Sequence, residues 1–244
     1  MPIDKNCEGF ADLLLDVLKT DDVEIAASSH SSSFSFEDEN SKIALAWENV
    51  SFTIPGKKGK EDREILSNVF GHVEPGQIIA IMGQSGSGKT SLLNILSGRV
   101  TSGKISGKVL VNGEPREHSS WKESVGFVEQ EDVMYRTLTV RETIKYAALL
   151  RLSSGIPKKR KLAYVDKVIS ELGLEVCADT IIGDENTRGI SGGERKRLAI
   201  GVETVTRPAL LFLDEPTSGL DAFTAYSLIE SLHKTTRSLS PIIV

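Results

Sequence analysis

From residue 43 onward, apolar residues fall in short runs separated by glycine, proline and polar breaks, and their period changes partway along the chain. Residues 43–54 alternate loosely and predict a strand. Residues 55–62, with three lysines and two glycines, read as a solvated loop. Strands over 65–73 and 77–82 follow, split by Pro75-Gly76. Lys108 to Val111 runs into Asn112-Gly113, the pair that suits a type I′ turn, so a β-hairpin is expected there. Residues 124–128 give another short strand. The spacing then turns helical. Thr139 and Glu142 form a T-x-x-E capping box ahead of 140–152. Leu162, Val165, Ile169 and Leu172 share one face of a helix over about 158–172, and Gly173 is placed to stop it. A third helix is expected from Ser191 to about Thr206, ended by Arg207-Pro208. A strand over 210–213, a helix over 222–235 and a fresh strand from Ile242 complete the pattern. A buried parallel strand rarely closes a domain, so the end of the chain is read as falling inside one.

Residues 1–41 do not share this patterning. They hold ten acidic residues against two lysines, a net −8 within a chain of −5, which leaves +3 for the rest. The segment is rich in serine between Ala26 and Ser35 and buries too little apolar surface to offset ordering entropy, so it reads as a disordered arm. Leu13, Leu14, Val17 and Leu18 have helical spacing there, as a transient or a docking helix. The +3 remainder is no broad basic field, so charge gives no support to a nucleic-acid partner. Hydrophobic content of 39% in 244 residues suffices for a large core. Cys7 and Cys177 cannot build a disulfide framework. The apolar runs are about five residues long, far short of the ~20 that cross a bilayer.

Between the strand over 77–82 and a helix over 91–97 lies Gly83-Gln84-Ser85-Gly86-Ser87-Gly88-Lys89-Thr90, which fits G-x-x-x-x-G-K-[ST]. Glycines let backbone N–H groups wrap an anion without side chains in the way. The following helix, opened by Ser91, turns its positive end toward that anion. Lys89 supplies a point charge for β- and γ-phosphates, and Thr90 a hydroxyl for Mg²⁺. Downstream, the apolar strand over 210–213 ends in Asp214 and Glu215. A parallel strand tip beside a phosphate loop is where an α/β ATPase places its metal and its base. Asp214 is the candidate to orient Mg²⁺ and Glu215 to activate water.

Ser191-Gly192-Gly193-Glu194 opens the third helix. Ser191 and Glu194 have a plain reading as a capping box. The two glycines do not, because each costs about 1 kcal/mol against alanine inside a helix. They suggest a close approach to the backbone, with an anion at the helix N-terminus as the candidate.

On these three elements, about residues 43–244 resemble the ATP-binding cassette (ABC) ATPases. Gln130 matches that family's Q-loop glutamine, and Ser218-Gly219-Leu220-Asp221 its D-loop. Residues 94–99, 138–143 and 190–201 are similar to the White/ABCG half-transporters, which place the cassette ahead of the membrane domain. The resemblance implies an α/β fold of the P-loop type: a parallel core sheet, an antiparallel β layer, and a helical insert at about 131–190. It implies ATP with Mg²⁺ on Thr90, Gln130 and Asp214. Gly83 to Ser91, and Ser191, Gly192, Gly193 and Asp221 from a second cassette, would contact nucleotide. Catalysis would rest on Glu215 and Gln130. The partner is a second cassette, identical or not, and a transmembrane domain following in the chain, with the cassette on the cytosolic face of a membrane.

Two family features are missing. Ile54 stands near the place of the adenine-stacking aromatic; Phe52, on the same face by strand alternation, is its neighbour. The switch histidine would lie past Val244, and His233 reads as a surface histidine. A segment without it is expected to bind ATP and to turn it over weakly. Rival readings are a soluble ABC ATPase and an inert nucleotide-binding regulator; Glu215 speaks against the second. Lys158 to Lys161 are expected to be solvated, and Trp47 and Trp121 to pack rather than stack on a base.

Overall fold

The computed structural model describes residues 43–56, 61–117, 121–122, 124–131, 133–184, 186–236 and 242–243. The expected acidic arm and its short helix lie outside them. Two sheets and five helices are formed by the described residues. Four antiparallel strands, β1 (Leu45–Ile54), β2 (Arg63–Val73), β4 (Lys104–Val111) and β5 (Glu114–Pro115), make a sheet in the order β2-β1-β4-β5. β3 (Ile78–Ile79), β6 (Val125–Val128), β7 (Leu210–Leu213) and β8 (Ile242–Ile243) make a parallel sheet ordered β3-β8-β7-β6. The helices are α1 (Lys89–Leu96), α2 (Val140–Arg151), α3 (Lys158–Glu171), α4 (Gly192–Thr204) and α5 (Ala222–Thr236).

β7 explains the layering. All four of its residues are buried, as expected for a strand covered on both faces. Leu210 and Phe212 join the core under the antiparallel sheet, with Leu45, Phe52 and α1 residues Leu92, Leu93, Ile95 and Leu96. Leu211 and Leu213 point the other way, into the core made with α2, α3, α4 and α5. Period-two alternation within one apolar run thus divides the two cores.

Local chemistry sets the element ends. Asn112 (φ 51°) and Gly113 (φ 84°) make the two-residue turn between Val111 and Glu114, as the Asn-Gly pair predicts. Both helices with the T/S-x-x-E signature carry a complete capping box, Thr139 with Glu142 and Ser191 with Glu194. Gly173, at φ 62°, ends α3: its N–H donates to Ser170 O and that of Leu174 to Ile169 O, the two bonds of a Schellman cap.

Several expectations are corrected. β3 spans Ile78–Ile79, shorter than the strand expected over 77–82, and these two residues pair with Ile242 and Ile243 of β8. β4 starts at Lys104, four residues early, where it pairs with Thr53 of β1. Lys161 is buried, not solvated: its Nζ donates to Leu152 O (2.7 Å) and Leu149 O (3.5 Å), satisfying carbonyls at the end of α2. Phe52 and Ile54 do not share an environment. Phe52 is buried under Gly103, where a Cβ would come 2.5 Å from its ring, whereas Ile54 is exposed at the strand end. A register shift separates Phe52 from Thr53. His233 lies within α5, as expected, and is half-buried there. Trp47 packs over Gly71 and Trp121 is buried, donating its indole N–H to Leu96 O at 2.9 Å, so both serve packing as expected.

Candidate functional site

The phosphate loop spans the gap between β3 and α1. Gly86 and Gly88 take φ of 79° and 95°, a region that side-chain-bearing residues rarely adopt. Gly88 has a second reason: a Cβ there would come within 2.8 Å of Leu66 and 3.2 Å of Ile65 O. Gly88 is the N-cap of α1 and offers no side-chain cap, so no side-chain oxygen occupies the first N–H groups of the helix. Lys89 curls back over the loop and donates to Gly83 O (2.9 Å) and Gln84 O (3.1 Å). Ser87 N donates to Gln84 O at 3.1 Å, closing the turn that holds Ser85 and Gly86.

Two hydrogen bonds join this loop to strand ends far away in sequence. Thr90, on α1, donates its hydroxyl to Asp214 Oδ1 at 3.0 Å. Asp214 is buried, and its N–H donates to Val128 O, which prolongs the β6–β7 ladder by one residue. Glu215 leaves the strand at φ 47°, a costly conformation for a residue with a Cβ and one that gathers at functional sites. Its Oε2 accepts from Gln130 Nε2 at 2.9 Å. A hydroxyl, a side-chain amide and two carboxylates thus stand around one strand tip. Such hard oxygen donors suit Mg²⁺, which takes few protein ligands beside phosphate oxygens. A cavity of about 310 Å³ lies alongside, lined by Met82, Lys89, Asp214 and Glu215 among others.

Ser191, Gly192 and Gly193 start α4, and among the described residues no hydrogen bond ties them to the phosphate loop. Ser191 Oγ accepts from Glu194 N (3.3 Å) and donates to Glu194 Oε2 (2.8 Å), while Ser191 N donates to the same carboxylate at 2.7 Å. That backbone N–H holds the Glu194 carboxyl below the usual glutamate range. The glycines differ from each other. At Gly193 the close approach comes from within the chain, since a Cβ would sit 2.3 Å from Thr224 Cγ2 of α5. At Gly192 a Cβ would meet only Leu220 Cδ2, at 3.8 Å, so this backbone is open to an outside group.

Asp221 is engaged in its own helix. It accepts from Phe223 N and Thr224 N, both at 3.1 Å, and from Thr224 Oγ1 at 2.6 Å. The Thr224 hydroxyl is the main reason its carboxyl is held below the ordinary range. Cys177 is buried behind α4, and burial pushes its thiol up, which is the setting of an inert cysteine.

Sequence reading missed three supports of the site. Lys196, buried in α4, donates to Gln130 O and Glu129 O. Arg99 pairs with Glu129 at 2.8 Å and lies 4.3 Å over the Phe127 ring. Glu203 takes both terminal nitrogens of Arg151 (2.8 and 3.0 Å), binding α4 to α2. None of the three had a signal in the sequence, because each joins residues 30 or more positions apart.

Residues 66–218 match the family model described as ABC transporter. Among curated proteins, ABC transporter G family member 21 of Arabidopsis thaliana is 47% identical over 206 residues, 80% of this chain and 30% of that protein. ABC transporter G family member 1 of Dictyostelium discoideum is 44% identical over 212 residues, 86% of this chain and 26% of that protein. The chain therefore spans less than a third of these relatives. A solved structure of cbiO1 from Clostridium perfringens, described as part of the ABC transporter complex cbiONQ, is similar in fold: TM-score 0.67, 24% identity, 83% of this chain and 78% of that one. With the loop, the strand-tip carboxylates and the Ser191 helix in the places described, the chain belongs to the ABC transporter family as a G-type ATP-binding cassette.

Proposed function

We propose that this cassette hydrolyses ATP between two stacked copies and that hydrolysis powers transport through a membrane domain elsewhere in the protein. The paired hydrogen bonds Thr90–Asp214 and Gln130–Glu215 carry this reading, because they gather a phosphate-loop hydroxyl, an amide and two carboxylates at one strand tip. The loop Gly83 to Thr90, with Ser91, holds the triphosphate through backbone N–H groups, and Lys89 leaves its loop carbonyls for the β- and γ-phosphates. Thr90, Gln130 and Asp214 are the residues to hold Mg²⁺, Asp214 through water. When bound, that ion offsets phosphate charge as a Lewis acid. Glu215 takes the proton of the attacking water as its oxygen bonds the γ-phosphorus and ADP leaves.

Ser191, Gly192 and Gly193 of a second cassette, identical or different, close over the γ-phosphate from the far side. The open backbone at Gly192 supports this. Asp221 caps α5 at the same surface and relays between the two sites. Among the described residues no helix is long and apolar enough to cross a membrane. In this reading the cassette sits on the cytosolic face of a membrane, attached to a transmembrane domain, and the G-type relatives favour this over a soluble ATPase. The cassette proper is taken as 42–244, with an arm over 1–41 and a helical insert at about 131–190.

Glu215→Gln in the full-length protein tests the assignment. ATP binding should persist, hydrolysis should fall about 100-fold or more, and an ATP-bound dimer should accumulate. Unchanged turnover would remove Glu215 as the base.

A further inference from the structure

Lys196 is 4% exposed. It sits in the inward stripe of α4 formed by Gly193, Lys196, Ile200 and Thr204, residues three and four apart. An apolar residue would fill this place without the cost of taking an ammonium out of water. The Nζ instead reaches out of the helix and donates to Gln130 O at 2.9 Å and Glu129 O at 3.3 Å. Those carbonyls lie just past the last β6–β7 pair, Val128 with Leu213. The side chain of the same Gln130 donates to Glu215 at 2.9 Å, and Glu129 is held by Arg99. One short loop is thus held by its backbone from α4 and by its side chains from α1's end and the β7 tip.

We infer that Lys196 is a positioning residue for ATP hydrolysis: it fixes the backbone of Glu129 and Gln130 so that the Gln130 amide orients Glu215. It does so from the helix whose N-terminus carries Ser191 to Gly193. The inference rests on the role proposed above for Glu215. Lys196 acts through the backbone of Glu129 and Gln130.

Lys196→Met in the full-length protein keeps the stem volume and removes the donor. The expected result is a kcat lowered about 10-fold or more, with the KM for ATP nearly unchanged and faster amide exchange over residues 129–131. Lys196→Arg, which can still donate to both carbonyls, should recover much of the loss. In a Gln130→Ala background, Lys196→Met should lower kcat no further, since the route is already cut. An equal loss in both backgrounds, or full activity in Lys196→Met, overturns the inference. Lys196→Gln serves the same cycle if the methionine variant does not fold. Glu215→Gln assayed alongside keeps the two failures apart: retained turnover there removes the base, whatever Lys196 does.

Discussion

At Gly192 and Gly193 two identical residues, adjacent in a helix, do different work. A methyl at Gly193 would press into Thr224 Cγ2. Gly193→Ala should therefore cost about 1–3 kcal/mol of stability, the usual toll of overpacking. Thr224→Ser removes the offending methyl and keeps the hydroxyl that donates to Asp221. The pair Gly193→Ala with Thr224→Ser should melt near the parent temperature, and thermal denaturation of the four proteins checks it. A methyl at Gly192 has room, and alanine is the better helix former, so Gly192→Ala should be neutral or up to about 1 kcal/mol stabilising. Its cost should fall on ATP-driven dimer formation, read by size-exclusion chromatography with ATP. Intact dimerisation in Gly192→Ala would mean that nothing approaches that backbone. The sequence showed that two glycines were unusual here; only the packing of α5 told them apart.

Among the elements, α4 is one whose stability is expected to depend on pH. Its capping box uses the Glu194 carboxylate, which the Ser191 N–H holds below its ordinary range. An acid depressed in the folded state stabilises that state above its unfolded pKa, about 4.3 for glutamate, and the contribution is lost as pH falls through and below that value. Amide exchange at Ser191 and Glu194 should accelerate, relative to the core, as pH drops below about 4. Glu194→Gln keeps a capping acceptor without a charge to titrate, so the acid dependence should flatten. A variant as acid-sensitive as the parent would place the effect elsewhere. Both capping boxes were legible in the sequence because they are local, spanning three residues. Lys161 was not, because the carbonyls that bury it belong to the preceding helix.

For the whole molecule, ATP acts as a stabilising ligand by mass action. At a hundred times its Kd it should raise stability by about 2.7 kcal/mol. Lys89→Met should lose most of that gain if, as proposed, the lysine supplies the charge that holds the phosphates. If each ATP is also held by Ser191 to Gly193 of a second copy, the ATP-induced rise in Tm for the 244-residue chain should grow with protein concentration. Calorimetry across a wide concentration range checks this. A rise independent of concentration would show each site to be complete within one chain, against the head-to-tail arrangement.

By itself the sequence determined what depends on near neighbours along the chain: the phosphate loop and its glycines, the Asn-Gly hairpin, the two capping boxes, the glycine stop of α3 and the β7 run that ends in Asp214 and Glu215. Each rests on residue types within a few positions of one another, where backbone geometry leaves little choice. The tertiary structure alone decided what depends on positions far apart. It paired β3 with β8, shut Phe52 inside while leaving Ile54 out, pressed Thr224 against Gly193, and brought Lys196 to the backbone carbonyls of Glu129 and Gln130. Those contacts join residues about 30 to 165 positions apart, and the packing of two cores against one parallel sheet, not any local preference, sets which of them meet.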